Sequence, residues 1–595
     1  MKRTRFFWGV LAGLVGGIAA AMILWGSWLL PTLGLLLTKV DLIRGFVVML
    51  VLGAIGGGIY SLFARRLSGK ISTTIISGII LGVVFWVIGV LMLIPILLGF
   101  PTQLANPLEH WTPLIAFIIY GVITSLIYSR VKLKRAKYRY AYAIVVMAFA
   151  IVLTPIMLYA AKNTTSNLLD LPNGYHAEVV AKGFTFPTSI AIKDLDNIYI
   201  AEAGYSYGPK TAEARILLIK GNGNVTEVAS NFEGPINGLF YKDEYLYVSH
   251  RGKITQLNLT TNKRRDLIDN LPSLGDHQNN DLVFGSDGAL YFGQGTATNA
   301  GVVGDDNFVY AWADRYPDFH DIPSRDFSLT GENYTSLDLS TVNPVDSEIT
   351  GAFAPFGTTN EKGKIVKGQI PANGAIHRID IKTGEVSIFA DGLRNPYGLA
   401  VSPEGDIYAT NLGYDDRGSR AVKNSPDWVV KIKKGAWYGW PDYAGLLPLS
   451  DEQFASDRGI NRNPLIANPP PVEAPVATLP QHYSPMKLAF APQGFGIDGI
   501  FVSIFADGEP LTGNMQMQNP TGVIVVDPSD GSYQWFLKNK HRQKAGRLGD
   551  GLKRVIDTKF YDNSLYILDF GLLEFTNMAP NAIPNTGVLW KIVKK

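Results

Sequence analysis

The chain has 595 residues, too many for one ordinary core, so two or more domains are expected. Its net charge of +3 is too small to point to nucleic acid as a partner. It contains no cysteine, which excludes disulfides, cysteine-ligated zinc, iron–sulfur clusters, covalently attached c-type haem and thiol catalysis together.

In chain order, the first 160 residues are mostly apolar and the rest is mixed like a soluble protein. A bilayer core takes roughly 20 apolar residues of helix. Five such segments are predicted, at about 6–30, 42–63, 72–98, 111–128 and 142–160. The first is longer than the apolar region of a signal peptide and further spans follow it, so it is read as a retained anchor. Basic residues set the orientation. Lys2, Arg3 and Arg5, then Arg65, Arg66 and Lys70, then the six between Arg130 and Arg139 fall on one side, against Lys39 and Arg44 on the other. The N-terminus is therefore expected in the cytoplasm, and five spans put everything after Lys162 outside. The middles of the spans carry no Asp, Glu, Lys or Arg and so offer no ion path. His110 is the only histidine in this part, too few for a bis-histidine haem. The runs Gly13–Gly17 and Gly53–Gly58 let helices approach closely. The plain reading is an anchor in membrane lipid, and docking of a quinone or a partner is the sharper one.

A short linker, 163–171, leads to a repeating pattern over 172–595. An apolar strand runs into a Gly/Asp/Asn turn, then into a strand ending in a motif such as Tyr-Ile or Tyr-Val, then into a glycine-containing loop. Six copies occur, among them "PTSIAIKDLDNIYIAEAG", "HQNNDLVFGSDGALYFGQG" and "RNPYGLAVSPEGDIYATNLG", the fifth being the least regular. Further strand-like runs lie between them. Alternating short strands with turn residues argue for sheets, and sheets repeated at this period predict a propeller. The fold class is thus an all-β six-bladed β-propeller preceded by an all-α transmembrane domain over 1–162. Tyr175–Gly183 and Gly587–Lys594 are expected to complete one blade together. The polar stretch at about 297–373 reads as an insertion between copies three and four.

In a propeller, equivalent positions surround one axis. His277 and Arg394 each stand 14 residues before the closing tyrosine of their copy, and Arg554 stands 12 before its own. These three are expected on one face, near the channel. The loops leaving the second strands hold Glu202, Arg251, Gln294, Asn411, Asp507 and Asp569 on the same face. A mouth with one histidine, several arginines and some carboxylates suits a small molecule. Each residue also has a plainer role. His277 can be a solvated loop residue, Arg394 can staple neighbouring blades, and Arg554 can pair with Asp557 or Asp569. Asp305-Asp306 and Asp415-Asp416 are read as solvated turns rather than metal ligands. Asn-X-Thr triplets at Asn163, Asn224, Asn258 and Asn333 fit an external location.

The segments "DHQ" (Asp276–Gln278), "GLRNPYGLAV" (Gly392–Val401), "GAWYGWP" (Gly435–Pro441) and "RVIDTKFYDNSLYILDFG" resemble the glucose/sorbosone dehydrogenase family, soluble quinoprotein propellers using pyrroloquinoline quinone (PQQ) and calcium. The resemblance covers most of 172–595 and leaves out the membrane part. It implies His277 as catalytic base, Arg394 and Asn395 beside the cofactor, and Arg554 near the PQQ carboxylates. It also implies the backbone carbonyls of Gly413 and Tyr414 as calcium ligands. Asp276, Glu202 and Arg251 are candidate substrate contacts. Two positions depart from the family pattern. Thr296 stands where glucose-oxidising members have an aspartate that orients the histidine, with Glu202 or Asp276 as possible substitutes. The fifth-blade lysine has no clear match, with Lys487 as a stand-in.

The resulting expectation is a membrane-anchored, extracytoplasmic dehydrogenase oxidising a sugar or related alcohol with PQQ and calcium. Its electrons would pass to an external acceptor, a membrane quinone or a cytochrome. The rivals are a calcium-dependent lactonase-like hydrolase and a non-catalytic binding propeller.

Overall fold

The computed structural model describes residues 2–26, 30, 33–37, 42–64, 70–97, 111–132, 169–204, 213–221, 223–309, 311–343, 345–506, 519–540, 551–576 and 579–594. Two compact units divide the chain, Met1–Leu168 with Leu548–Gly551 and Leu169–Arg547 with Leu552–Lys595.

The first unit contains α1 (Lys2–Gly26), α2 (Leu42–Phe63), α3 (Ile71–Phe85, continuing as π-helical turns over Trp86–Leu93) and α4 (Trp111–Lys132). Within them, Phe6–Trp25, Ile43–Phe63, Ile71–Leu93 and Thr112–Arg130 are long and apolar enough to cross a membrane. They coincide with the first four expected spans. The fifth, at 142–160, and His110 lie outside the described residues. Helix α1 packs on α2 and α4, and α3 packs on α4. Glycine makes these contacts possible. A Cβ on Gly13 would run into the Gly53 carbonyl, and one on Gly121 into that of Gly78. The Tyr120 hydroxyl donates to the Gly53 carbonyl at 3.0 Å. Ile43, Val51, Ile55, Ile76 and Ile80 are exposed, an apolar outer surface that suits lipid and not water.

The second unit is a six-bladed propeller, as the repeat predicts. Its six antiparallel sheets have innermost strands Pro187–Asp194, Ile236–Lys242, Asn279–Phe284, Leu399–Val401, Pro485–Phe490 and Val555–Tyr561. Each innermost strand touches the next, and the sixth touches the first. The ring closes as expected: Tyr175–Phe184 pairs with Gly587–Lys594 in the sixth sheet, Tyr175 opposite Lys594. Leu169–Asp170 adds a short outer strand to the fifth sheet.

The long insertion lies between the third and fourth copies of the repeat. It leaves the second strand of the third sheet (Leu290–Gln294) and returns into that sheet's third strand (Ala375–Ile379), so it lies within blade three. The run "GAIHRIDI", one of the strand-like runs between copies, is that third strand. The insertion carries short helices at Asp305–Val309 and Trp312–Arg315 and a hairpin pairing Asn333–Leu337 with Ser347–Gly351. It has its own core of Ala297, Val303, Phe308, Trp312 and Phe319.

The innermost strands also build a charged layer around the ring's axis. Ser189, Asp281, Lys487 and Asp557 each occupy the third position of their strand. Lys487 Nζ donates to Ser189 Oγ at 2.6 Å and lies 3.1 Å from Asp281 and 3.6 Å from Asp557. Lys559 adds a second ammonium 3.7 Å from Asp281. Lys487, Asp281 and Asp557 are fully buried, so each charge must be answered within the layer. Gly238 and Gly398 leave room for it, since a Cβ on either would press against the backbone of Asp281 or Lys487.

Candidate active site

His277, Arg394 and Arg554 all stand in loops that enter an innermost strand, of the third, fourth and sixth sheets. The topology therefore places them at one end of the ring. Around His277 two chain segments pair: Asp276 N–H donates to the Ala297 carbonyl at 3.0 Å, and His277 N–H donates to that of Thr296 at 3.1 Å. The next blade is joined in turn, because Thr296 N–H donates to the Arg394 carbonyl at 2.9 Å. Only glycine fits at position 295. A Cβ there would collide with the His277 Cβ and come within 2.9 Å of Asn395 Oδ1. Asn395 Oδ1 accepts from Asn280 at 2.8 Å, and the Asn395 N–H donates to Asn411 Oδ1 at 3.0 Å. His277, Arg394 and Asn395 thus meet in one packed seam.

The His277 ring is partly exposed. Its Nδ1 lies 3.3 Å from the Thr296 carbonyl and 3.5 Å from the Thr296 hydroxyl. The hydroxyl proton is directed elsewhere, to the Thr298 carbonyl at 2.8 Å. A carbonyl only accepts, so Nδ1 carries the ring proton and Nε2 keeps its lone pair. Lost hydration, followed by the charges of Arg394 and Arg417, holds the imidazole well below its usual range, with Asp415 opposing.

Arg394 is almost fully buried and its donors are engaged. They reach the Asn299 carbonyl at 3.2 Å, Asn299 Oδ1 at 3.0 Å, Asp415 at 2.7 Å and the Gly413 carbonyl. Arg417, which the sequence did not single out, is the centre of the electrostatics. It bonds Asp276 at 2.5 Å, Asp306 at 2.5 Å and Asp415 at 3.1 Å. Burial alone would raise Asp415, but Arg394 and Arg417 outweigh it and keep the carboxylate ionised far into acid. Burial pushes Asp306 up, with Arg417 opposing. The two acidic pairs read as solvated turns are therefore half wrong. Asp306 and Asp415 turn inward onto one guanidinium, and their partner follows Asp415 by two residues.

Other expected residues have different surroundings. Glu202 is buried, accepts from Thr185 N–H at 2.6 Å and pairs with Arg215 at 2.7 Å, so both oxygens are committed away from a substrate. Asp569 likewise staples its own loop, accepting from Arg554 N–H at 2.8 Å. Arg251 lies 5.6 Å over the Trp312 ring of the insertion. Arg554 is buried, with its guanidinium 5.0 Å over the Phe505 ring. Lys487 belongs to the axial layer and is not free to replace the family lysine. Asp507 lies outside the described residues.

The Gly413 and Tyr414 carbonyls do not suit calcium. The first already accepts from Arg394, and a cation between the two would stand against that guanidinium. Among the described residues no three His, Asp or Glu side chains are grouped to hold a metal.

Comparison with known proteins bears on this seam. The family model "Glucose / Sorbosone dehydrogenase" matches residues 355–469, the stretch holding Arg394, Asn395, Asp415 and Arg417. The propeller is similar to the glucose/sorbosone dehydrogenases. Quinoprotein glucose dehydrogenase B of Acinetobacter calcoaceticus is 27% identical over 201 residues, 33% of this chain, and the match spans only 32% of that relative's length. Two solved structures are similar over 71% of this chain. The PQQ domain of pyranose dehydrogenase from Coprinopsis cinerea is covered over 97% at 13% identity and a TM-score of 0.44. Aldose sugar dehydrogenase from Streptomyces coelicolor is covered over 99% at 15% identity and a TM-score of 0.41.

Proposed function

We infer that the chain is a membrane-anchored oxidoreductase that takes a hydride from a sugar or related alcohol, with PQQ as cofactor and His277 as general base. The observation that carries this reading is the setting of His277: Nδ1 lies 3.3 Å from the Thr296 carbonyl, which can only accept, and lost hydration with the charges of Arg394 and Arg417 disfavours protonation of the ring. Such a ring can take the hydroxyl proton as the carbon gives up its hydride, and a positioned base of this kind contributes about 10²–10⁴ in rate.

The donor chemistry suits an anionic quinone. Arg394 and Arg417 are already paired with Asp276, Asp306 and Asp415, so the guanidinium offered to the quinone carboxylates is that of Arg554, at the same end of the ring. Asn395 and Arg554 are the residues that would hold PQQ, with Arg394 steadying the loop beneath. When bound, the quinone supplies the two-electron acceptor. The chain itself orients the hydroxyl, receives its proton at His277 Nε2 and keeps that nitrogen unprotonated beforehand. No step is assigned to calcium, because the proposed carbonyls do not suit it. The electrons then leave to a membrane quinone or cytochrome, a role favoured by the four apolar helices. An extracytoplasmic propeller is the orientation that the basic loops support.

A lactonase-like hydrolase would need a divalent cation among mouth carboxylates, whereas Asp276, Asp306 and Asp415 converge on Arg417 instead. The test uses the full chain in detergent, loaded with PQQ, and follows dye reduction with a panel of aldoses and polyols. Quinone-dependent reduction that falls at least a hundredfold in His277→Ala is expected. Lactone hydrolysis without quinone supports the hydrolase, and silence in both assays leaves a binding propeller.

A further inference from the structure

Thr296 is the residue that faces His277 Nδ1, with its carbonyl at 3.3 Å and its hydroxyl at 3.5 Å, and neither carries a charge. A carboxylate is nevertheless close, contributed by the insertion. Asp321 is buried, at 1% exposure, and burial pushes its carboxyl up to about 7 against the bonds from Thr298 and Ala297, so its charge is fully present only above that pH. Its Oδ1 accepts from Ala297 N–H at 2.6 Å, and its Oδ2 accepts from Thr298 N–H at 3.2 Å and from the Thr298 hydroxyl at 2.5 Å. The Ala297 N–H and the Thr296 C=O belong to the same peptide group. That group accepts from His277 Nδ1 on one side, at 3.3 Å, and donates to Asp321 on the other.

We propose that Asp321 is the positioning residue of the base, acting on His277 through the Thr296–Ala297 peptide. A negative charge on the N–H side of an amide enriches its carbonyl oxygen, and hydrogen bonds in a chain strengthen one another in a poorly hydrated site. The carbonyl facing Nδ1 is thereby a better acceptor, which fixes the proton on Nδ1 and stabilises the imidazolium when Nε2 takes up a second one. The Thr298 hydroxyl locks the geometry from both sides, donating to Asp321 and accepting from Gly301 N–H at 2.9 Å. The insertion thus supplies, one peptide removed, the charge that the strand position lacks.

This inference rests on His277 being the base, yet its first readout needs no cofactor. The full chain in nanodiscs, with ring-¹⁵N histidine and well above pH 7 so that Asp321 is ionised, reports the tautomer of each imidazole, and His277→Gln identifies the signals of interest. In the wild type a single tautomer with the proton on Nδ1 is expected. Asp321→Asn keeps the shape and removes the charge. It is expected to give a mixed tautomer at His277 and, in the PQQ-loaded protein, a ten- to hundredfold lower kcat with KM within about twofold. Adding Thr296→Asp to Asp321→Asn should restore the Nδ1–H tautomer and at least tenfold in kcat. A folded Asp321→Asn protein with an unchanged tautomer overturns the proposal. Should that variant not fold, Thr296→Val decides. It removes the hydroxyl and keeps the peptide, so the tautomer is expected to persist, and a mixed tautomer would assign the orientation to the hydroxyl instead. If the wild type shows no quinone-dependent activity at all, the dehydrogenase reading falls while the tautomer result stands.

Discussion

At the scale of single residues, the electrostatics around His277 set a distinctive pH behaviour. A free imidazole titrates near 6.5, but lost hydration and the charges of Arg394 and Arg417 disfavour the protonated ring. Its folded value is therefore depressed, and the base stays competent as pH falls through 6.5. The rate profile of kcat/KM is expected to show no inflection from His277 near 6.5. Arg417→Gln removes one of the lowering charges and should move the inflection upward, toward the ordinary range; a shift to lower pH would contradict this assignment. His277 was legible in the sequence because it holds a repeat register. Arg417 has no such register, and of its three carboxylates only Asp415 is near in sequence, Asp276 and Asp306 coming from segments more than a hundred residues earlier. Asp321 was illegible for the same reason: its bonds to Ala297 and Thr298 exist only once the insertion has folded back on its own first residues.

At the scale of elements, strands and the four described spans follow their periodicities closely. The third strand of blade three, Ala375–Ile379, follows the insertion directly. That strand carries His377, stacked on Phe292 with ring centroids 4.9 Å apart and accepting from Ala372 N–H at 3.1 Å. Burial pushes the ring down to about 3. Its folded value lies below its unfolded one, so the stability it contributes is present above about 6.5 and is lost as pH falls toward 3. His377→Gln keeps an acceptor for the Ala372 N–H but does not titrate. The difference in Tm between wild type and this variant is expected to shrink, or reverse, between pH 6.5 and 4, read by circular dichroism. In the helical unit, Gly13→Leu should force α1 away from α2, because any side chain there meets the Gly53 carbonyl. Loss of thermal stability in detergent, with the propeller's own transition unchanged, is the expected result.

At the scale of the whole molecule, ring closure brings loops far apart in sequence to one mouth, and the same closure buries charge on the axis. The terminal strands that close the sixth blade were legible as complementary half-blades. The axial layer was not, because Lys487, Asp281 and Asp557 look like ordinary strand residues until three sheets face one another. Lys487→Met leaves two buried carboxylates with one ammonium between them. Breaking a buried ion pair costs about 3–5 kcal/mol, so a lower denaturant midpoint of corresponding size is expected for the propeller, and an unchanged midpoint would show the layer to be hydrated. The most direct measurement of the central claim is PQQ-dependent dye reduction by the full-length protein beside His277→Ala, with folding verified for both. A quinone-dependent rate in the wild type that falls a hundredfold or more in the variant is predicted. A rate that survives the loss of the imidazole, or no quinone-dependent rate in the wild type, would contradict it.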